Sequence, residues 1–417
     1  MNFFSLEGFS RKTIAGLFLI KLFAGIVLAL IYTYYYPYRQ AADIYKYYDA
    51  GEAIYNTLLK NPSLYFQIIF GINSEDPQIK EVLETANHWY KPSESVFYND
   101  SRTIMRFNAI VRIVSFGSIG VHTAVMCFLS FIGLTALYKT CLRFMHDKKK
   151  ELLFAIYLIP SVVFWGSGLI KESMVLFVMG CFIYFCFQLI HGHINPKNIL
   201  GFLFFTIFFL LSKIYVLLAL LPALLAYFIC ERFKSGNTML KHGLLYLLLL
   251  TFTLNIHLAI PNYNILEIIS NKQSEFLLLA KHNEAGSLYQ IPTIEPNALS
   301  FISGFPLAVF NVLLRPLFFD MSTPIVFLAI MENIVIMLII GFCLLFFKRK
   351  TEHLNFMLFC IGFVVLLFGI IGMTTPVLGA VVRYKIPGLP LLMIIFLFYY
   401  NKDRAINKFP ILKFLKS

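Results

Sequence analysis

The chain has 417 residues, is 59% hydrophobic and 14% charged, and carries a mean hydropathy of +0.75 and a formal net charge of +13. That composition excludes an ordinary soluble globular domain and defines an all-α, polytopic helical membrane protein, read as a single domain over residues 1–417. The basic residues fall in short clusters between apolar windows, where they act as topology signals, and nucleic acid is excluded as a partner.

Apolar windows long enough to cross about 30 Å of hydrocarbon recur along the chain. The first, 13–36, is too long and lacks the small-residue cleavage site of a signal peptide, so a retained helix is expected. It is followed by "QAADIYKYYDAGEAIYN" at 40–56. Tyr45, Tyr48, Glu52 and Tyr55 recur at helical spacing, which predicts a helix over 43–59 lying on the membrane surface with its aromatic face toward the headgroups. Its carboxylates, Asp43, Asp49 and Glu52, have two readings: water-facing charges of an interfacial helix, or a catalytic group. In the second, Asp43 or Asp49 removes a proton from an acceptor hydroxyl or orients a divalent cation. Arg102, Arg106 and Arg112 in "SRTIMRFNAIVRIVSF" form a basic stripe suited to anionic lipid.

Further spans are expected at 116–141, 152–168, 173–191, 198–213, 214–230, 243–260, 324–347, 354–374 and 387–400, giving about ten in all. Between two of them, "PSVVFWGSGLIKESM" at 160–174 turns on Gly166, Ser167 and Gly168 and presents Lys171 and Glu172 at a helix start. Backbone amides there favour an anion, and Lys171 adds a full positive charge; the alternative is a tight hairpin with a snorkelling lysine. Lys213 marks a very short turn at 212–215. The segment 299–319 reads as an interfacial or re-entrant helix broken by Pro306 and Pro316, with Arg315 and Asp320 beside it, which either pair or clamp an anion. In "MTTPVLGAVVRYKIPGLP" at 373–390, an extended segment would point Arg383 and Lys385 to the same side of Tyr384, toward one anion. Two charges, Lys21 and Glu332, fall inside apolar windows and need a partner or a cavity. The seven cysteines suggest neither a disulfide framework nor a zinc site.

Placing Arg11 and Lys12 inside puts the clusters Lys139–Lys150, Lys197, Arg232–Lys241, Lys348–Lys350 and Lys402–Lys416 inside as well. Both termini are then cytoplasmic. The segments 37–115 and 261–323, which hold the unusual polar residues, face outward. On that face, which also carries short turns around 167–173, 212–215 and 375–386, Lys171, Lys213, Arg315, Arg383 and Lys385 would suit a lipid-linked phosphate, with Glu172, Tyr384, Glu332, Arg102 and Arg106 in support.

The acidic, tyrosine-rich "DIYKYYDAG" after the first helix, the many short helices and the late "RYKIPGLP" resemble the GT-C superfamily of polytopic glycosyltransferases. "GSGLIKES" and "RYK" also look like pieces of membrane polymerases of bacterial surface polysaccharides. The resemblance implies a polyprenyl-phosphate-linked sugar donor, a glycan, lipid or protein acceptor, Asp43 or Asp49 as base, and Lys171, Arg383 and Lys385 at the donor phosphate. It implies chemistry on the outer face of the cytoplasmic membrane, with no organic cofactor. A lipid-linked oligosaccharide polymerase or ligase is the near alternative; a flippase, a transporter or a non-enzymatic scaffold comes from another class.

Overall fold

A computed structural model describes residues 2–34, 38–39, 42–86, 89–90, 99–260, 263–282, 284–348 and 352–415. Tyr35 and Tyr36 of the first window, and Arg349, Lys350 and Lys416 of the basic clusters, lie outside these residues. The described residues form helices and no named strand. In chain order the α-helices are α1 (Arg11–Tyr34), α2 (Asp43–Lys60), α3 (Pro62–Phe70), α4 (Pro77–Thr85), α5 (Asp100–Ser115), α6 (Ile119–Leu142), α7 (Lys149–Tyr157), α8 (Pro160–Trp165), α9 (Lys171–Ile190) and α10 (Pro196–Ser212). There follow α11 (Ile214–Arg232), α12 (Thr238–Ala259), α13 (Ile265–His282), α14 (Ala298–Leu314), α15 (Pro324–Leu345), α16 (Leu354–Thr374), α17 (Leu378–Tyr384), α18 (Leu389–Tyr399) and α19 (Lys402–Lys408).

Among the described residues, seven helices are long and apolar enough to cross a membrane: α1, α6, α9, α11, α12, α15 and α16. The bent pair α17 and α18 would make an eighth if counted as one span, and α10 and α14 are shorter apolar helices. The window expected at 152–168 is instead two short helices, α7 and α8, interrupted at Leu158 and Ile159 just before Pro160, whose ring disfavours helical backbone in the residue ahead of it. The segment around Pro306 corrects a second expectation, because α14 runs through that proline unbroken. Its helix ends at Leu314, immediately before Arg315 and Pro316.

The chain forms two compact units, one of residues 1–140 and 162–214, the other of residues 141–161 and 215–417. In the first unit, α1 buries Leu17, Lys21, Ala24, Leu28 and Tyr32 along one stripe and exposes Leu19, Ile20, Phe23, Ile26 and Leu30. Both faces are apolar, as expected of a span whose outer side meets lipid, so the buried side is set by small residues and neighbours rather than by hydrophobicity. Close helix approach shows the same logic: a Cβ on Gly180 of α9 would collide with the backbone of Gly133 on α6, and one on Gly133 with Leu176 and Phe177. Gly180→Val is therefore expected to destabilise the protein by about 1–3 kcal/mol through overpacking, measurable as a lower midpoint of thermal unfolding in detergent.

The second unit packs α16 against α14, α18, α13 and α12, with glycines again at the closest approach. A Cβ on Gly372 would collide with the backbone of Ala308, and one on Gly369 with the ring of Phe305. Gln273 of α13 ties the loop that follows this helix to the core: its amide donates to Pro292 O at 3.0 Å and Met373 O at 2.6 Å, and its Oε1 accepts from Ile294 N at 2.9 Å. Residues 287–289 and 376–378 pair through Tyr289 N to Pro376 O at 3.0 Å and Leu378 N to Ser287 O at 2.9 Å. That pairing fixes the entry to α17.

Candidate functional site

Helix α2 forms where the tyrosine and carboxylate spacing predicted it, but its aromatic face does not point to headgroups. Tyr45, Tyr47 and Tyr48 are buried, because a second amphipathic helix, α5, packs on them. Gly51 permits this approach, since a Cβ there would come within 2.7 Å of the Asn108 side chain. Tyr48 donates to Gly117 O at 2.5 Å, and His122 is held between Asn108 Oδ1 and Ser115 Oγ, each at 2.8 Å. The interface is thus polar and specific.

Each carboxylate of α2 has a cation. Arg39 grips Asp49 with two bonds, Nη2 to Oδ1 at 2.6 Å and Nε to Oδ2 at 3.0 Å, while its guanidinium lies 3.8 Å from the Tyr45 ring centre. That bidentate bond, ahead of the smaller opposing effect of burial, raises the Arg39 pKa. Glu52 meets Arg112 at 2.5 Å. Of these three pairs the one between Asp43 and Lys46 is the longest, at 3.6 Å.

The start of α9 gathers the densest charge of the first unit. Lys171 Nζ lies 2.6 Å from Asp100 of α5 and 5.5 Å from the centre of the Tyr47 ring. The next residue, Glu172, forms a pair with Lys213 at 3.1 Å in which both side chains are almost fully buried. Lys213 sits at the break between α10 and α11, so its turn is an internal corner and not a surface anchor. Tyr47 is one helical turn after Asp43, which places Asp43 on the face of α2 that approaches Lys171. Asp100 is a residue that sequence reasoning missed; its only local signal is the Asn99 cap that starts α5.

The Gly166–Ser167–Gly168 turn does allow close approach, and what approaches is a helix: a Cβ on Gly168 would collide with Leu28 of α1, and one on Gly166 would meet Lys21 Nζ at 3.1 Å. Lys21 is buried in α1, and its amine has no hydrogen-bond partner among the described residues. Arg102 and Arg106 of the predicted stripe cover Trp89, with guanidinium centres 5.5 and 5.2 Å from its ring.

In the second unit the structure brings Arg315 and Lys385 together. Arg315 pairs with Asp320 at 3.3 Å and lies 5.2 Å from the Tyr289 ring centre. Burial is the main cause that pushes the Tyr289 phenol up to about 12, against the opposing pull of Arg315. The expected extended geometry around Arg383 is not what forms. Residues 378–384 are helical and Lys385 caps them, so Arg383 and Lys385 do not share a side as alternate residues of a strand would. Lys385 turns inward and is buried, donating to Asn333 Oδ1 at 2.9 Å, Arg315 O at 3.2 Å and Val312 O at 3.5 Å. Asn333 in turn donates to Leu314 O and Pro316 O at 3.2 and 3.1 Å, closing a hub that holds the end of α14. Lys385→Met is expected to cost about 1–3 kcal/mol by leaving these acceptors unsatisfied, and unfolding in detergent would show it. Arg383 is half-buried on α17, and Tyr384 lies 6.2 Å from Tyr215 between ring centres. Glu332 accepts from Ser161 N at 3.0 Å and from the Ser161 hydroxyl, so its charge within α15 is met by the start of α8.

Among the described residues, no group of three or more His, Cys, Asp or Glu side chains is placed to hold a metal ion. The long apolar helices, the glycine contacts between them and the ion pairs gathered at helix ends define a multi-pass, all-helical membrane protein. Comparison with protein-family models, curated proteins and solved structures gives no match.

Proposed function

We propose that the protein is a membrane glycosyltransferase that moves a sugar from a polyprenyl-phosphate-linked donor to an acceptor on the outer face of the cytoplasmic membrane, in cell-surface glycan assembly. The observation that carries this reading is the cluster at the start of α9, where Lys171 lies beside Asp100 and Tyr47 with the buried Glu172–Lys213 pair behind it. A lysine held by carboxylates at a helix start can exchange its partner for a phosphate, and a carboxylate on the adjoining face of α2 can take a proton.

In this reading Asp43 is the general base. It accepts the proton of the acceptor hydroxyl as that oxygen bonds to the anomeric carbon. The bond from that carbon to the phosphate oxygen breaks, its electron pair leaves with the lipid phosphate, and Lys171 stabilises the charge. The anomeric configuration inverts. Asp100 orients Lys171, and the Glu172–Lys213 pair fixes the backbone that carries it. We assign Arg39 the role of holding Asp49 in place, which leaves Asp49 a supporting residue. The ten-span topology, cytoplasmic termini and GT-C-like architecture belong to the same proposal, with the bent α17–α18 pair, the shorter α10 and the broken α7–α8 segment counted as crossings.

Mass spectrometry of polyprenyl-linked saccharides in cells with and without the protein tests the reading. Accumulation of one lipid-linked sugar on the outer side of the membrane supports transfer. Accumulation on the inner side points to a flippase, and an unchanged profile sinks the transferase.

A further inference from the structure

The second unit holds a cavity of about 470 Å³ that the transferase reading leaves unused. It lies where α16 begins; Met373, which Gln273 holds, is at the other end of that helix. Three cations line it, Arg143, Lys148 and Lys348, together with two carboxylates, Asp147 and Glu352. Among the described residues no ion pair joins these cations to a carboxylate, and the side chains of Arg143 and Lys348 make no hydrogen bond. Lys148 is buried and donates to Tyr400 O at 2.8 Å and to Leu397 O. Burial is the main cause that lowers its amine to about 8; the charge of Lys348 pushes the same way, and Asp147 opposes them. The two lysines thus repel one another across a space where an anion would relieve both.

The walls of the cavity are held by specific bonds. Lys348 N donates to Tyr399 O and Asn401 N to Phe346 O, each at 2.7 Å, which pins the segment carrying Lys348 to the end of α18. Lys402 donates to Asp147 O at 2.9 Å and pairs with Glu151 at 3.3 Å, which holds the start of α7. Phe144 stacks on Phe356 with 4.0 Å between ring centres and meets the His353 ring edge-on at 5.4 Å. Helices α7 and α16 add to the positive field. Their cap residues, Lys148 and His353, line the cavity, and neither side chain bonds its own helix start, so the first-turn amides favour an anion.

A metal ion is the competing occupant, because His146 and His353 line the cavity with Asp147 and Glu352. Among the described residues these groups are not gathered to hold one. The planar fork of Arg143 matches phosphate oxygens and Lys348 adds a point charge, in a volume typical of a small-molecule cleft.

We infer that this cavity binds a phosphate ester, with the phosphate held by Arg143 and Lys348. A soluble phosphorylated molecule and a lipid headgroup share that chemistry. The site is separate from the proposed transfer and does not depend on it: Asp43, Asp100 and Lys171 do not line it.

The test is calorimetric titration of the purified full-length protein in an uncharged detergent. The probes are glycerol 3-phosphate, dioctanoyl phosphatidic acid, which carries the same headgroup on a lipid, and dioctanoylglycerol, which lacks the phosphate. One phosphate probe should bind per chain, with an affinity that falls as salt is raised. Tighter binding of phosphatidic acid identifies a lipid as the source, and equal affinity for the two identifies a soluble ester. Arg143→Gln and Lys348→Gln should each weaken binding about tenfold. Glu352→Gln should tighten it about threefold by removing a repelling charge, a gain that a folding defect does not mimic. Failure of both phosphate probes to bind overturns the inference. So does dioctanoylglycerol binding as tightly as phosphatidic acid, or an affinity indifferent to all three substitutions.

Discussion

Asp43→Ala is expected to lower turnover by about 10²–10⁴-fold while the protein still folds and inserts. The carboxylate pairs with Lys46 at 3.6 Å and both side chains are partly exposed to water, which limits the cost of removing it. It stands one turn from Tyr47, whose ring Lys171 faces. Asp49→Ala makes the informative comparison. Asp49 is engaged by Arg39 in a partly exposed pair of the kind that contributes about 0–1 kcal/mol, and its loss should cost far less activity. Transfer from a lipid-linked donor, measured in membranes with each variant at matched protein level, separates the two. Normal rates in Asp43→Ala would remove it as base. A larger loss in Asp49→Ala than in Asp43→Ala would move the base one and a half turns along α2.

The second large effect is on stability. Glu172→Ala leaves Lys213 with its charge in a nearly closed environment, and removing one partner of a buried pair costs about 3–5 kcal/mol. The expected result is poor accumulation in the membrane and a sharply lower unfolding midpoint. The double variant Glu172→Leu with Lys213→Met should recover much of that loss, since neither charge is then desolvated. Recovery of stability without recovery of transfer would mean that the pair serves the site through Lys171. Recovery of both would make it structural alone. If Glu172→Ala unfolds no more readily than the wild-type, the pair is not the buried one described.

Particular residues show what the sequence makes legible. The helical spacing of α2 is visible because periodicity is a local property. Which way its tyrosines face is not, because an amphipathic helix can lie on a membrane or against a second amphipathic helix, and only α5 decides between them. Arg315 and Asp320 stand five apart and their pairing could be anticipated. Lys171 and Asp100 are separated by seventy-one positions, and no local pattern links them. Arg383 and Lys385 share a side only if the backbone between them is extended, and the spacing of two charges does not reveal the short helix that ends at Tyr384. The positive charge of Lys385 looked like a binding group because an unusual position draws attention. Its acceptors, Asn333, Arg315 O and Val312 O, lie 52 to 73 residues earlier in the chain.

The two units are interleaved along the chain. Residues 141–161 belong with 215–417, although 162–214 complete the other unit. During synthesis the short piece carrying α7 emerges early and must wait for its partners: Lys148 donates to Tyr400 O at 2.8 Å and to Leu397 O, across about two hundred and fifty residues. Until α18 is made, that lysine and the apolar side of α7 have no native place, which exposes the nascent chain to misassembly and to helper factors. No single cut yields two complete halves. A gene split at residue 214 would give one fragment carrying a stray strip of its neighbour and another lacking it, so the chain is inherited and assembled as a whole.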